Sequence, residues 1–167
     1  EGFYYKPRID KGLLSEHAEG LIALSSCNRG EVGDNLYREN LPRAKKVADQ
    51  YREIMGDDNF YLELQYHKHD WQEKANKELV ALGKELSIPV VATNNCHYLE
   101  REDARAHEIL LCLQTGKTIS DQYRMQYPNQ EYYFKSPEEM TELFFEIPEA
   151  ISNTMAIAER CNFDFDL

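Results

Sequence analysis

The sequence predicts an α/β fold in which parallel strands alternate with helices. Three short apolar runs have the composition of buried strands: GLIALSS at 20–26, NFYLELQ at 59–65 and PVVATN at 89–94. Segments with helical periodicity lie between and after these runs. Because a repeated strand–helix order builds a parallel sheet through right-handed crossovers, we expect the three strands to share one sheet. Parallel strands are covered on both faces and therefore read as continuous apolar runs, as two of these three do.

Three helices are predicted after the strands, two of them from apolar residues that recur on one face. The face of the first is formed by Ala44, Val47, Ala48, Tyr51, Ile54 and Met55. The face of the second is formed by Trp71, Ala75, Leu79, Leu82 and Leu86. A third helix is expected from about Arg101 to Gln114, with Ile109, Leu110 and Leu113 directed inward.

The last part of the chain is expected to hold a loop and two helices. The stretch at 115–136 is turn-rich and aromatic. Ser136, Pro137 and Glu139 then form a capping-box pattern, which predicts the start of a helix. A final helix is expected to begin near Pro148. Its inward residues are expected to be Ile151, Met155 and Ala158.

Composition and charge restrict the possible functions. The 167 residues carry 19 Lys and Arg against 30 Asp and Glu, which gives a formal net charge of -11. A protein that binds nucleic acid by itself needs a basic face for the phosphates, so this balance argues against a free-standing nucleic-acid-binding protein. The length suits one domain with a sizeable core. The apolar runs are too short to cross a membrane and no signal-peptide pattern opens the chain, so we expect no membrane association and a cytoplasmic location.

The cysteines and the first residue add two expectations. The four cysteines are far apart and form no CxxC pair, so reduced thiols are expected. Cys112 and Cys161 are expected in the core. The chain starts at Glu1 without a methionine and reads as mid-protein sequence, so we expect a fragment of a longer protein.

The ends of the three predicted strands are candidate positions for a functional site. In parallel α/β folds, ligands bind beyond the carboxyl ends of the strands. Here each predicted strand leads into a group of polar side chains, at 25–29, 65–70 and 94–97. Imidazole and thiolate groups suit zinc and related ions, whereas carboxylates suit harder ions. Three such groups at one edge of the sheet suggest a binding site.

The residues after the third strand leave two explanations open. Asn95 and His97 are two positions apart, so on an extended chain they would point the same way and could share a metal. Cys96 would then point the opposite way, into packing. Alternatively, polar residues gather at strand ends only because the chain leaves the core there. The residues alone do not decide between a metal site and a polar turn.

Long stretches of the chain carry a resemblance to a known family. They are EGFYYKPRIDKGLL, EGLIALSSC, FYLELQYH, VVATNNCHYLEREDARAHEILLCLQTGKTI and FKSPEEMTELF. In this order and spacing they resemble the PHP (polymerase and histidinol phosphatase) domain of bacterial DNA polymerase III alpha subunits. The resemblance implies part of a distorted β/α, TIM-like barrel with parallel strands and flanking helices. It implies a single PHP-domain fragment over 1–167, with the barrel portion at 1–115 and closing elements at 116–167.

The resemblance also implies a metal-binding cleft at the strand ends. Cys27 matches a cysteine ligand of the family, and His97 matches the histidine of a late Asp-x-His pair. Asn95 stands where that pair has its aspartate. A neutral amide offers one carbonyl oxygen to a metal, so we expect zinc or manganese binding to be weakened. The family's early His-x-His pair would lie before Glu1, and His67, in HKH, is expected to be a strand-end hydrogen-bonding residue instead.

Three roles are consistent with this resemblance. We expect a structural module with a degenerate metal site, within a magnesium-dependent, DNA-directed DNA polymerase (a nucleotidyltransferase) of bacterial replication. The alternatives are an active metal-dependent phosphoesterase or 3′–5′ proofreading exonuclease, and a docking scaffold for a proofreading subunit. The implied partners are the rest of the polymerase chain, the proofreading subunit, the sliding clamp, and DNA through the full-length protein. Because the fingers, palm and thumb are missing, the 167 residues alone are expected to be inactive.

Overall fold

Three parallel strands and the helices that follow them organise the protein, whose computed structural model describes residues 3–164. The strands are β1 (Phe3–Tyr4), β2 (Lys6–Pro7), β3 (Ala23–Leu24), β4 (Phe60–Leu64) and β5 (Val90–Ala92). The helices are α1 (Lys11–Glu16), α2 (Glu31–Tyr37), α3 (Leu41–Met55), α4 (Asp70–Leu86), α5 (Ala104–Thr115), α6 (Pro137–Leu143) and α7 (Pro148–Arg160). A 3-10 turn at Arg101–Asp103 precedes α5. No helix in the described range is long and apolar enough to cross a membrane.

The main sheet confirms the predicted parallel arrangement. Its strand order is β3-β4-β5, and both pairings are parallel. Ala23 lies opposite Phe60 on one side of β4, and Leu62 lies opposite Val90 on the other side. β1 and β2 form a separate antiparallel pair. The chain is therefore an α/β structure with parallel strands and flanking helices, consistent with part of a TIM-like barrel.

The core lies between the sheet and the helices on one of its faces. Successive side chains of a strand point to opposite faces, so Leu62 and Leu64 share one side of β4. Both are fully buried. They pack in one cluster with the predicted inner faces of α3 and α4, which contribute Ala44, Val47, Ala48, Met55, Leu79 and Leu82. The predicted apolar faces of these two helices are therefore directed into the core.

The predicted inward face of α5 is wrong. Ile109, Leu110 and Leu113 are exposed, whereas Leu111 and Cys112 are buried. The reason is that the following loop folds back onto the other side of the helix, where Arg124 is ion-paired with Glu108. The run of five apolar residues at 109–113 offers two possible faces, and tertiary contacts select the one that faces the loop.

The inward face of α7 is only partly as predicted. Ala150 is fully buried and Ile151 packs against the core, but Met155 and Ala158 are exposed. The orientation is set by Asn153, whose side-chain amide donates to the carbonyl of Val90 at 2.7 Å. This bond turns the Ala150–Asn153 side of the helix toward β5.

The start of α6 has the predicted capping box, and the cysteines differ in their exposure. The Ser136 hydroxyl accepts from the Glu139 N–H, and the Glu139 carboxylate accepts from the Ser136 N–H, as the capping-box pattern predicted. All four cysteines are free thiols, and Cys112 is buried as expected. Cys161 is exposed, contrary to expectation, because it lies just beyond the last turn of α7. Cys96 is exposed as well, because the chain has left the core after β5.

Leu62→Ala is expected to lower the free energy of unfolding by about 2–5 kcal/mol, because it removes a fully buried side chain from the core. Leu99→Ala is the matched control, since the same chemical change falls on a side chain that is 71% exposed. The control should change stability by no more than about 0.5 kcal/mol. Urea unfolding followed by circular dichroism measures both. Equal losses for the two variants would contradict this placement of the core.

Candidate functional site

Polar side chains connect the carboxyl ends of the three parallel strands. The Ser25 hydroxyl, just after β3, accepts from the backbone N–H of Glu63 at 2.9 Å. The Glu63 carboxylate accepts from the Thr93 hydroxyl at 2.5 Å and from the Gln65 amide at 2.8 Å. The strand ends therefore lie together at one edge, as the sequence predicted. The Glu63 carboxylate is therefore hydrogen-bonded to residues that lie just beyond the ends of β4 and β5.

Cys27 is positioned by the tight packing of α2 against the turn that follows β3. A Cβ atom on Gly33 would lie 2.3 Å from the Cys27 carbonyl oxygen, so only glycine fits at this approach. The Gly30 N–H donates to the same carbonyl at 2.9 Å. Cys27 borders a cavity of about 180 Å³, together with Glu63, Gln65 and helix residues of α2 and α4. The turn thus places a half-buried thiol beside the polar strand ends.

His97 lies in a cluster of aromatic rings supplied by distant parts of the chain. The Tyr127 hydroxyl is 2.9 Å from Nε2 of His97, and the ring centroids are 4.5 Å apart. The ring centroid of His107 in α5 lies 5.6 Å from that of His97, and the backbone N–H of His97 donates to the backbone carbonyl of Tyr132 at 2.8 Å. Burial and the nearby charge of His107 hold the pKa of His97 below its usual value. Tyr127 therefore occupies hydrogen-bonding capacity that a metal ligand would need.

Asn95 is exposed, and its backbone rests on His67. The Asn95 N–H donates to Nε2 of His67 at 3.3 Å. β5 ends at Ala92, and the Cys96 backbone N–H donates back to the Asn94 carbonyl at 3.0 Å, so the chain turns here instead of extending the strand. The prediction that Asn95 and His97 point the same way depended on an extended chain, and that basis is absent here. Asn95 and His97 are brought into the same turn, with His97 directed at Tyr127.

His67 is a buried hydrogen-bonding residue at the end of β4. The side-chain carbonyl of Gln72 accepts from the His67 backbone N–H at 2.6 Å, and the side-chain NH2 of Gln72 donates to Nδ1 of His67 at 3.1 Å. The imidazole stacks on Tyr132 at 4.6 Å between centroids. Burial, with the charges of Lys135 and His69, lowers the pKa of His67 to about 4. The sequence predicted a hydrogen-bonding role, but its burial and its partner Tyr132 were missed.

A buried ion cluster fixes the 127–135 segment against the strand ends. Glu131 is buried and accepts from Arg101 at 2.7 Å and from Lys68 at 3.0 Å. Burial by itself would raise the pKa of Glu131, but the hydrogen bond from Lys68 and the charge of Arg101 outweigh it and lower that pKa. Lys135 is also buried, and its ammonium donates to the Glu131 carbonyl. No sequence pattern signalled this cluster, because its members come from three separate stretches.

The three expected metal positions do not form a complete site by themselves. Cys27 borders the cavity at β3 and β4, whereas Asn95 and His97 lie in the turn after β5. Across residues 3–164, no three His, Cys, Asp or Glu side chains are grouped so that they could hold a metal ion. Zinc sites in proteins need at least three such ligands. The described residues therefore do not fit a zinc or manganese ion without further ligands.

Comparison with known proteins identifies relatives of the whole chain. The sequence model of the PHP domain family matches residues 1–67, which include β3 and β4. DNA polymerase III subunit alpha of Treponema pallidum (strain Nichols) is 46% identical over 97% of this chain. The subunits of Helicobacter pylori (strain ATCC 700392 / 26695) and Thermus aquaticus are 42% and 41% identical over 100% of it. In each case the chain spans only 14% of the relative's length.

Acidification is expected to destabilise the fold through His67. Its pKa is lowered from 6.5 to about 4, so the neutral ring is favoured in the folded state. The contribution of the neutral His67 ring to the free energy of unfolding is fully present above about pH 6.5 and is lost as the pH falls toward about 4. The loss amounts to roughly 3 kcal/mol, because each pKa unit corresponds to about 1.4 kcal/mol. Urea unfolding at a series of pH values measures it.

A pair of variants separates His67 from the other titrating groups. His67→Gln should flatten the pH dependence of stability in this range, because no buried ring remains to be protonated. His17→Gln, at an exposed histidine, should keep the wild-type dependence. An unchanged slope in His67→Gln would show that His67 does not govern acid stability.

Proposed function

We propose that the chain serves as the PHP module of a bacterial replicative polymerase, because the model of the PHP domain family matches residues 1–67 and DNA polymerase III alpha subunits are similar to it over nearly its whole length. The observation that carries the proposal is identity of 41–46% across nearly all of the chain. The homology continues past the PHP match through β5, the aromatic segment and α6. We assign the full 1–167 range to one PHP-domain fragment on that basis. Polymerisation, with its magnesium requirement, would reside in the full-length protein.

Within that polymerase, the module's role is structural, with a degenerate metal site at the strand ends. Cys27, Asn95 and His97 are the positions at which zinc or manganese ligands would stand. Three observations support weak or absent binding. Asn95 supplies a neutral amide, Tyr127 is hydrogen-bonded to His97, and the Glu63 carboxylate is held by Thr93 and Gln65. The buried contacts of the 127–135 segment give this region a structural use that needs no metal.

The proposal also implies the partners and the location of the module. Its first partner is the rest of the polymerase chain, and the proofreading subunit and sliding clamp are partners of the assembled replicase. The net charge of -11 supports contact with DNA through other parts of the full-length protein. We therefore propose a cytoplasmic location, which is where bacterial DNA is replicated.

Primer extension by the full-length protein tests this proposal. With magnesium and a primed DNA template, the full-length protein is expected to elongate the primer, and to leave a mismatched 3′ terminus unshortened when zinc or manganese is added. His97→Ala is the matched variant for the second readout. Failure to elongate would contradict the polymerase assignment. Shortening that is lost in His97→Ala would instead support the active exonuclease.

A further inference from the structure

The cavity beside Cys27 is a binding site of its own. It is lined by residues of α2 and α4 and by residues at the carboxyl ends of β3 and β4, and its volume is about 180 Å³. A cavity of roughly 150 Å³ is large enough to hold a benzene ring. Of the three expected metal positions, Cys27 alone borders this cavity, whereas Asn95 and His97 do not. The cavity therefore has room for a ligand of about one ring, apart from the turn after β5.

Three polar side chains of the lining each retain an acceptor oxygen. The hydrogen bonds from Gln65 and Thr93 to the Glu63 carboxylate both end on Oε1, and within residues 3–164 Oε2 accepts none. The side-chain NH2 of Gln65 donates to Glu63, and that of Asn76 donates to the backbone carbonyl of Gln65 at 3.1 Å. Carboxylate and carbonyl oxygens only accept, so these bonds fix the orientation of both amides. The side-chain oxygens of Gln65 and Asn76 therefore remain as acceptors beside Oε2 of Glu63.

The charges of the lining favour a cation. Glu39, Glu63 and Glu78 contribute three carboxylates, and Lys74 contributes the one ammonium group among the lining residues. Lys74 is paired with Glu39 at 2.7 Å, which leaves the carboxylates of Glu63 and Glu78 in excess. A phosphate or carboxylate ligand would be repelled here, whereas a positively charged hydrogen-bond donor would be attracted.

The rest of the lining includes an apolar and aromatic wall. Leu36 and Leu79 are buried members of this wall. The indole of Trp71 makes an edge contact with Tyr37 and stacks on His69, each at 6.0 Å between ring centroids. Aromatic faces attract organic cations, and apolar side chains favour the burial of a hydrocarbon group. The wall therefore fits the apolar part of a ligand whose other part is charged.

We propose that this cavity binds a small organic cation, in which an ammonium or amidinium group is joined to an apolar part of about one ring. The cationic group donates hydrogen bonds to Glu63 and to the amide oxygens of Gln65 and Asn76. The apolar part packs against Trp71 and the leucines of the wall. The site requires neither the polymerase assignment nor a metal ion, so it goes beyond the proposed function.

Calorimetric titration of the full-length protein with benzamidine, a one-ring amidinium, tests the inference. EDTA is present, so that no metal ion at Cys27 competes. Benzamidine is expected to bind with a Kd below about 1 mM, which is a modest affinity for a ligand of its size. Absence of binding at this strength would overturn the proposal.

Two further compounds separate the contributions of the charge and the apolar part. Benzamide resembles benzamidine in shape but is neutral, so it should bind at least about tenfold more weakly. Ammonium chloride supplies the charge without the ring, so at the same concentration it should not displace benzamidine. Equal affinity for benzamide, or displacement by ammonium, would overturn the assignment to an organic cation.

Two variants locate the binding in this cavity. Glu63→Gln removes the charge with little change in shape and should weaken benzamidine binding by roughly tenfold or more. Ala75→Phe keeps Glu63 and adds a ring to the cavity wall, so it should abolish binding. Glu53→Gln is the matched control, because it makes the same change at an exposed carboxylate of α3, and it should bind like the wild type. Wild-type affinity in either folded cavity variant would overturn the proposal.

Discussion

The strand-end geometry depends on β4, because this strand must pair with a neighbour on each side and fill the core at the same time. β3 and β5 both pair with it in parallel, so the ends of all three strands fall at one edge. Successive side chains of β4 point to opposite faces of the sheet, so Leu62 and Leu64 lie in the core and Glu63 lies on the other face. Glu63 is then bonded to Thr93, while its backbone donates to Ser25. The register of one strand thus fixes which side chains meet at the site.

A second layer of contacts comes from the 127–135 segment, which returns to the strand ends after a long loop. Tyr127 reaches His97, and Tyr132 stacks on His67. Glu131 is buried and paired with Lys68 and Arg101, and the buried Lys135 pairs with Glu131. Removing one member of such a buried charge pair generally costs more than the pair contributes, because the other charge is left without compensation. The segment therefore holds the residues of the candidate site in place through hydrogen bonds, ring contacts and ion pairs.

Local sequence patterns were enough to predict the strands, two helix faces and one helix start. Continuous apolar runs revealed the strands, helical periodicity identified the inner faces of α3 and α4, and the capping box located the start of α6. The inner face of α5 was missed because residues 109–113 are all apolar and offer no single stripe. The surroundings of His97 were missed for a different reason. Tyr127 is 30 residues away, and no short-range pattern predicts which loop returns to a strand end.

We propose that the turn after β5 is the remnant of a metal site, weakened because Asn95 supplies a neutral amide where a carboxylate would bind the metal. Zinc and manganese affinity of the full-length protein, compared between wild type and Asn95→Asp, tests it most directly. Restoring a carboxylate should tighten binding by roughly tenfold or more, in line with the cost of losing groups that support a metal site. Gln114→Glu controls for the added charge alone. Stoichiometric metal in the wild type, bound as tightly as in Asn95→Asp, would contradict the claim.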